Sequence, residues 1–216
     1  MAEAATRPIR TGVFVDWNSQ LRAVSAVPDL APIEIARQAL RRVGASVSKT
    51  LVAEAPNNRF RVDLRLYSGW TKGFTRSDYY KAITSLTEAF DLDALFPSSK
   101  IAVTPNLGFG DRLLEGLDTR LNPGLGVHLP NTLRQQEGGG PWREKMVDTA
   151  LASDLLSWLR DDFDSWAVVV SNDDDLVPPV FVAEGWLQHA NGRVLLLRTQ
   201  NRPGDRFLRL DGLRRS

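Results

Sequence analysis

The stretch Trp166-Ala167-Val168-Val169-Val170-Ser171-Asn172-Asp173-Asp174-Asp175 constrains the fold more than any other. A short, β-branched apolar run reads as a buried strand, and here it breaks off directly into aspartates. A second such run, Gly12-Val13-Phe14-Val15, ends in Asp16-Trp17-Asn18. From Arg59 to Tyr67 the pattern has period two. Phe60, Val62, Leu64 and Leu66 alternate with Arg59, Arg61, Asp63 and Arg65, a strand with one polar face. Lys100 to Thr104, stopped by Pro105, and Arg193 to Leu197 complete the strands. Helical spacing separates them. It is carried first by Ile33, Ile35, Ala36, Ala39, Leu40 and Val43, then by Ser77 to Phe90 with Ser77 or Asp78 as cap. Val147 to Leu159 presents Leu151, Leu155, Leu156 and Leu159 as one stripe. A last helix runs from about Val177 to Ala190, with Pro178 and Pro179 in its first turn and Asn191-Gly192 at its end. Strands alternating with helices predict an α/β fold with a mostly parallel sheet and helices on both faces. Ligands of such sheets bind at the carboxyl ends of strands, near the switch in strand order.

One domain is expected over residues 1–200, with an irregular insertion at about 106–140. There Gly108, Gly110, Pro123, Gly124, Gly126, Pro130 and Gly138-Gly139-Gly140-Pro141 dissolve the periodicity. Residues 201–216 read as a basic tail carrying Arg206, Arg209, Arg214 and Arg215. Scarcity narrows the chemistry. With no cysteine there is no thiolate site or thiol nucleophile, and His128 and His189 alone cannot build a histidine-rich zinc site. The opening MAEAATRPIR lacks an apolar targeting core and no run reaches membrane-spanning length, so the expectation is a cytoplasmic protein without membrane association. A formal net charge of +1 means that any nucleic-acid partner has to be held by a local patch.

Carboxylates are left as the leading candidates. Asp16 and the triplet Asp173 to Asp175 each follow a buried strand, so both fall on one rim of the sheet. Clustered carboxylates raise one another's pKa unless a cation lies between them, and a hard divalent ion such as Mg2+ prefers oxygen ligands. Asp16 equally suits a helix cap, and the triplet equally suits a solvated turn. Asp148, in Glu144-Lys145-Met146-Val147-Asp148, falls in a first helical turn, where it would favour the helix dipole even without a function. Asp154 follows six positions later. That is about 600° of helical rotation, which leaves it roughly a third of a turn away from Asp148.

Taken in order, Val13-Phe14-Val15-Asp16-Trp17-Asn18, Glu144-Lys145-Met146-Val147-Asp148 with Leu151 and Asp154, and Val168-Val169-Val170-Ser171-Asn172-Asp173-Asp174-Asp175 resemble the NYN family of PIN-like nuclease domains. Its corresponding stretches read approximately D-x-N, E-K-G-V-D and S-G-D-x-D-F, and the match runs from Gly12 to about Thr199. The resemblance implies a Rossmann-like three-layer sandwich of strand order 3-2-1-4-5 and metal-dependent ribonuclease activity with Mg2+ or Mn2+. It implies Asp16, Asp148 and Asp173 as core acids and Asp175 and Asp154 as auxiliary ones. Asn18 and Ser171 fall beside them as orienting groups, and Tyr67-Ser68-Gly69-Trp70 is similar to the family's turn after its second strand. The chain departs from the pattern at Met146 and Asn172, where glycine is usual, and at Leu176, where an aromatic is usual.

Near these motifs Lys72, Arg76, Arg143 and Lys145 are candidate phosphate contacts, and Trp17, Trp70 and Trp142 are candidate stacking platforms for unpaired bases. Each tryptophan equally suits core or rim packing. Three functions compete. One is a metal-dependent endoribonuclease acting on single-stranded or structured RNA, with DNA and a homo-oligomeric state left open. Another is a non-catalytic module of the same fold that binds RNA or protein. The third, a nucleotide-binding α/β protein, lacks both G-x-x-x-x-G-K-[ST] and G-x-G-x-x-G after its first strand.

Overall fold

The computed structural model describes residues 7–25, 30–72, 75–89, 91–110, 133–135, 138–140, 142–144 and 146–199. Strand β1 (Ile9–Asp16) runs into α1 (Trp17–Val24), and α2 (Pro32–Glu54) leads to β2 (Phe60–Tyr67). A small hairpin, β3 (Thr71–Lys72) and β4 (Thr75–Arg76), precedes α3 (Asp78–Ala89), a 3-10 turn (Leu92–Leu95), β5 (Ile101–Val103) and β6 (Gly108–Phe109). After β7 (Leu133–Gln135) and β8 (Trp142–Glu144) come α4 (Val147–Asp161), β9 (Trp166–Val170), a second 3-10 turn (Asp174–Leu176), α5 (Val177–Trp186) and β10 (Arg193–Leu197).

The main sheet has the order β10-β9-β1-β2-β5, with β6 added alongside β2, and its pairings are parallel. Numbering β1, β2, β5, β9 and β10 in chain order, the arrangement is 3-2-1-4-5. The order therefore reverses between β1 and β9. A second, antiparallel sheet of order β4-β3-β8-β7 stands apart.

Alternation along the strands divides the core into two layers. Val13, Val15, Leu64, Leu66, Val168 and Val170 pack with residues of α1, α2 and α3 on one face. Phe14, Tyr67, Ala167 and Val169 pack with α4 and α5 on the other. Since both faces of β1 and β9 are covered, their continuous apolar runs follow directly.

Helix α2 extends eleven residues beyond Val43, to Glu54, because Val47 and Leu51 prolong its buried stripe. Gly44 interrupts the apolar pattern for a tertiary reason: a Cβ there would fall on the Leu95 carbonyl oxygen. Ser77 is the cap of α3, its Oγ accepting the Tyr80 N–H at 3.2 Å. Helix α5 stops at Trp186 rather than Ala190, where the Leu187 N–H closes on the carbonyls of Ala183 and Glu184. The insertion also contributes strands, since β6 extends the main sheet and β7 pairs with β8. Residues 111–132, with His128, and residues 200–216, with the tail arginines, lie outside the described residues, as does Lys145. Among the described residues no helix is long and apolar enough to cross a membrane.

Candidate functional site

The reversal in strand order brings the carboxyl ends of β1 and β9 side by side, the crevice where α/β sheets bind ligands. Asp16 closes β1 and caps α1, as the helix-cap reading expects. Its Oδ1 accepts the Ser19 N–H at 3.2 Å and its Oδ2 accepts the Ser171 hydroxyl at 2.9 Å. The carboxylate is 4% exposed. Ser171 Oγ accepts in turn the Asp173 N–H at 3.0 Å. One hydroxyl thus ties the two strand ends together. Asp173 caps the second 3-10 turn, taking the Asp175 N–H at 3.1 Å, and Asp174 pairs with Arg198.

Asp148 stands in the first turn of α4. Partial loss of hydration, then the charges of Asp16, Asp173 and Asp175, push its carboxyl above the ordinary value of 3.8. The side chain keeps contact with solvent, which tempers both effects. The linkage has a definite sign. A carboxyl raised on folding binds its proton more tightly in the folded state, so stability falls as pH rises from the unfolded value through the folded one. Above its folded value the ionised Asp148 is therefore a cost. Asp148→Asn is expected to raise the metal-free melting temperature at neutral pH and to flatten its dependence on pH above 3.8. An unchanged melting curve by circular dichroism would show that the rim charges do not interact.

A second layer of polar contacts holds the crevice. Asn172 donates to Thr199 Oγ1 at 3.2 Å and accepts the Thr199 N–H at 3.1 Å, which joins the end of β9 to the residues after β10. Thr199 Oγ1 donates to Gln20 at 2.8 Å, Gln20 to Ser19 Oγ at 2.8 Å, and Ser19 Oγ to the Asp16 carbonyl at 2.9 Å. Ser68, after β2, donates to Asn18 Oδ1 at 2.7 Å. Sequence reasoning missed Ser19, Gln20, Ser68 and Thr199, because an isolated buried polar residue carries no periodic signal.

Asp16, Asp148, Asp173 and Asp175 share one electrostatic neighbourhood, with Ser171 bonded to Asp16. Asp154 is a correction. Its Oδ2 takes the Tyr67 hydroxyl at 2.8 Å and lies 3.9 Å from Arg65, and the acids that raise Asp148 are other ones. Burial, with the charge of Asp154, pushes the Tyr67 phenol far above its usual range, so it stays a donor. Trp17 and Trp70 are corrections too. Both are 0% exposed, so neither ring is open to a base. Arg76 lies over the Tyr80 ring at 4.4 Å. Lys72 and Arg143 are register partners in the second sheet, and Arg143 is also opposed to Arg134. The side chains of Lys72, Arg143 and Trp142 lie outside the description.

Met146, which precedes α4, has φ +68°, the left-handed region that a bulky residue rarely occupies. Leu176 is buried in the layer shared by α4 and α5. Among the described residues no three His, Cys, Asp or Glu side chains already stand as a group that would hold a metal ion. The aspartates share a field rather than a finished chelate. No family model, no curated protein and no solved structure matches the chain.

Proposed function

We propose that the chain is a metal-dependent endoribonuclease of the NYN, PIN-like type, hydrolysing RNA phosphodiesters at the rim formed by Asp16, Asp148 and Asp173. The observation that carries this reading is that the strand ends bearing Asp16 and Asp173 meet at the reversal of strand order, tied together by Ser171, with Asp148 close enough to feel their charges. Acids kept together at such a cost are explained by a cation. The donor set of carboxylates and a hydroxyl, without nitrogen or sulfur, suits Mg2+ or Mn2+. Asp16 and Asp173 would hold the ion, Asp148 would complete the shell directly or through water, and Asp175 would tune its charge. When bound, the ion supplies a more acidic attacking water and stabilisation of charge on the departing oxygen. Ser171 fixes the Asp16 carboxylate, and the Asn172–Thr199–Gln20 chain keeps the strand ends from spreading.

The departures from the NYN pattern have local reasons. Met146 holds a left-handed backbone, the conformation for which glycine is the default residue. Asn172 is kept by its two bonds to Thr199, and Leu176 fills a core position that an aromatic would also fill. RNA is supported by the second sheet, where Lys72, Arg143 and Arg134 occupy opposed register positions.

A second reading, a non-catalytic RNA- or protein-binding module of the same fold, is favoured by the lack of a ready ligand group among the described residues. A labelled single-stranded RNA separates the two. The nuclease cuts it internally with Mn2+ and leaves it whole in EDTA, whereas the module binds it uncut in both.

A further inference from the structure

Strand β2 lies between β1 and β5, inside the sheet, yet carries Arg61, Asp63 and Arg65 on one face. Interior strands of parallel sheets are ordinarily apolar on both faces, so this polar row calls for a physical account. On that face α4 and α5 cover β1, β9 and the Tyr67 end of β2. The stretch from Arg61 to Arg65 instead opens on a groove of about 440 Å³, bounded by residues 104–109 on one side and by Asp154 on the other. That volume is within the range of small-ligand sites, roughly 300–1,000 Å³.

The groove is unbalanced in donors and acceptors, although its formal charges cancel. Asp63 already accepts the Thr104 hydroxyl at 2.7 Å. Asp154 already accepts the Tyr67 hydroxyl at 2.8 Å and has Arg65 at 3.9 Å. Arg65 is steadied besides by the Trp158 and Phe14 rings, 5.4 and 5.9 Å from its guanidinium. Arg61 is exposed and has no hydrogen-bond or ion-pair partner among the described residues, so its fork of donors is unspent. Asn106 adds an exposed amide to the same groove. Spent acceptors beside unspent donors are complementary to an acceptor-rich anion, and a guanidinium fork matches phosphate in two-point geometry.

The groove runs down β2 from the level of Asp154, away from the acidic rim: Arg61, the register partner of Arg10, is six residues from Tyr67, which is level with Asp16, or about 20 Å along the strand. Asp154 is six residues beyond Asp148 on α4, about 9 Å along the helix axis. We propose that the β2 groove is a phosphate subsite for single-stranded nucleic acid, with Arg61 as its principal contact and Arg65 as the second, holding the strand a few nucleotides away from the rim. The subsite rests on the nuclease reading for its place in the reaction, but its binding is measurable without cleavage.

Anisotropy of a fluorescent oligouridylate in EDTA tests it on the full chain. Arg61→Ala is expected to weaken binding about tenfold and to lower the slope of log affinity against log salt by about 0.7. Arg61→Lys should retain part of the affinity, and melting temperatures should not change, since Arg61 is exposed. Wild-type affinity in both Arg61→Ala and Arg61→Glu would overturn the subsite. Free uridine monophosphate binding as tightly as the oligonucleotide, with the same dependence on Arg61, would overturn the strand assignment in favour of a mononucleotide pocket. Arg61-dependent binding without Mn2+-dependent cleavage would refute the nuclease reading and leave the groove standing. Cleavage with Arg61 variants of unchanged affinity would refute the groove alone.

Discussion

Asp16→Asn and Asp173→Asn are each expected to cut Mn2+-dependent RNA cleavage by roughly 10³-fold or more while leaving the fold intact. The size follows from what a divalent ion contributes to a phosphodiester transition state, several kcal/mol, at about 1.4 kcal/mol for each factor of ten. The intact fold follows from the contacts. At the α1 cap the amide oxygen of asparagine takes the Ser19 N–H, and its NH2 can donate to Ser171 Oγ in place of the bond that this hydroxyl now donates to Asp16. At Asp173 the same oxygen takes the Asp175 N–H. Kinetics measured beside thermal melts read the two effects separately. Cleavage that survives both substitutions would remove the rim from the mechanism.

Trp70→Ala is expected to destabilise the protein by about 3–5 kcal/mol and to leave RNA affinity per folded molecule unchanged. Its ring is fully buried, set edge-on to Tyr80 at 5.9 Å and to Phe109 at 5.1 Å. Its carbonyl receives the N–H of Ser77, so this one residue joins β2, α3 and β6. Truncation would leave a cavity where the turn after β2 meets α3 and β6. Urea titration of Trp70→Ala and Trp70→Phe, with RNA binding measured on each, decides the point. A stable Trp70→Ala protein that has lost RNA affinity would mean that the ring stacks on a base after all.

The strands were legible because burial on two faces writes a continuous apolar run, as in Val13 to Val15 and Trp166 to Val170. Their ends were legible for the same reason, since polarity returns where the sheet stops, at Asp16 and Ser171. The length of α2 was not, because Gly44, Ser46, Ser48 and Lys49 dilute its second half and the need for Gly44 comes from Leu95, far away in sequence. The alternation of β2 was plain, yet alternation ordinarily means solvent on one face, and nothing local shows that this strand is interior. Asp154 was open to misreading because an acid on α4 looks the same whether its partner is an ion or Tyr67. Its offset of a third of a turn from Asp148 already pointed away from the rim. Thr199 and Gln20 gave no signal at all, as their partnership spans most of the chain.

In the proposed nuclease the aspartates at the reversal of strand order would hold a divalent ion. Anomalous diffraction from crystals soaked in Mn2+ tests it most directly. The expected result is an ion between the carboxylates of Asp16 and Asp173, with Asp148 bound to it directly or through one water. A rim that stays without an ion at saturating Mn2+, its aspartates still apart, would contradict it.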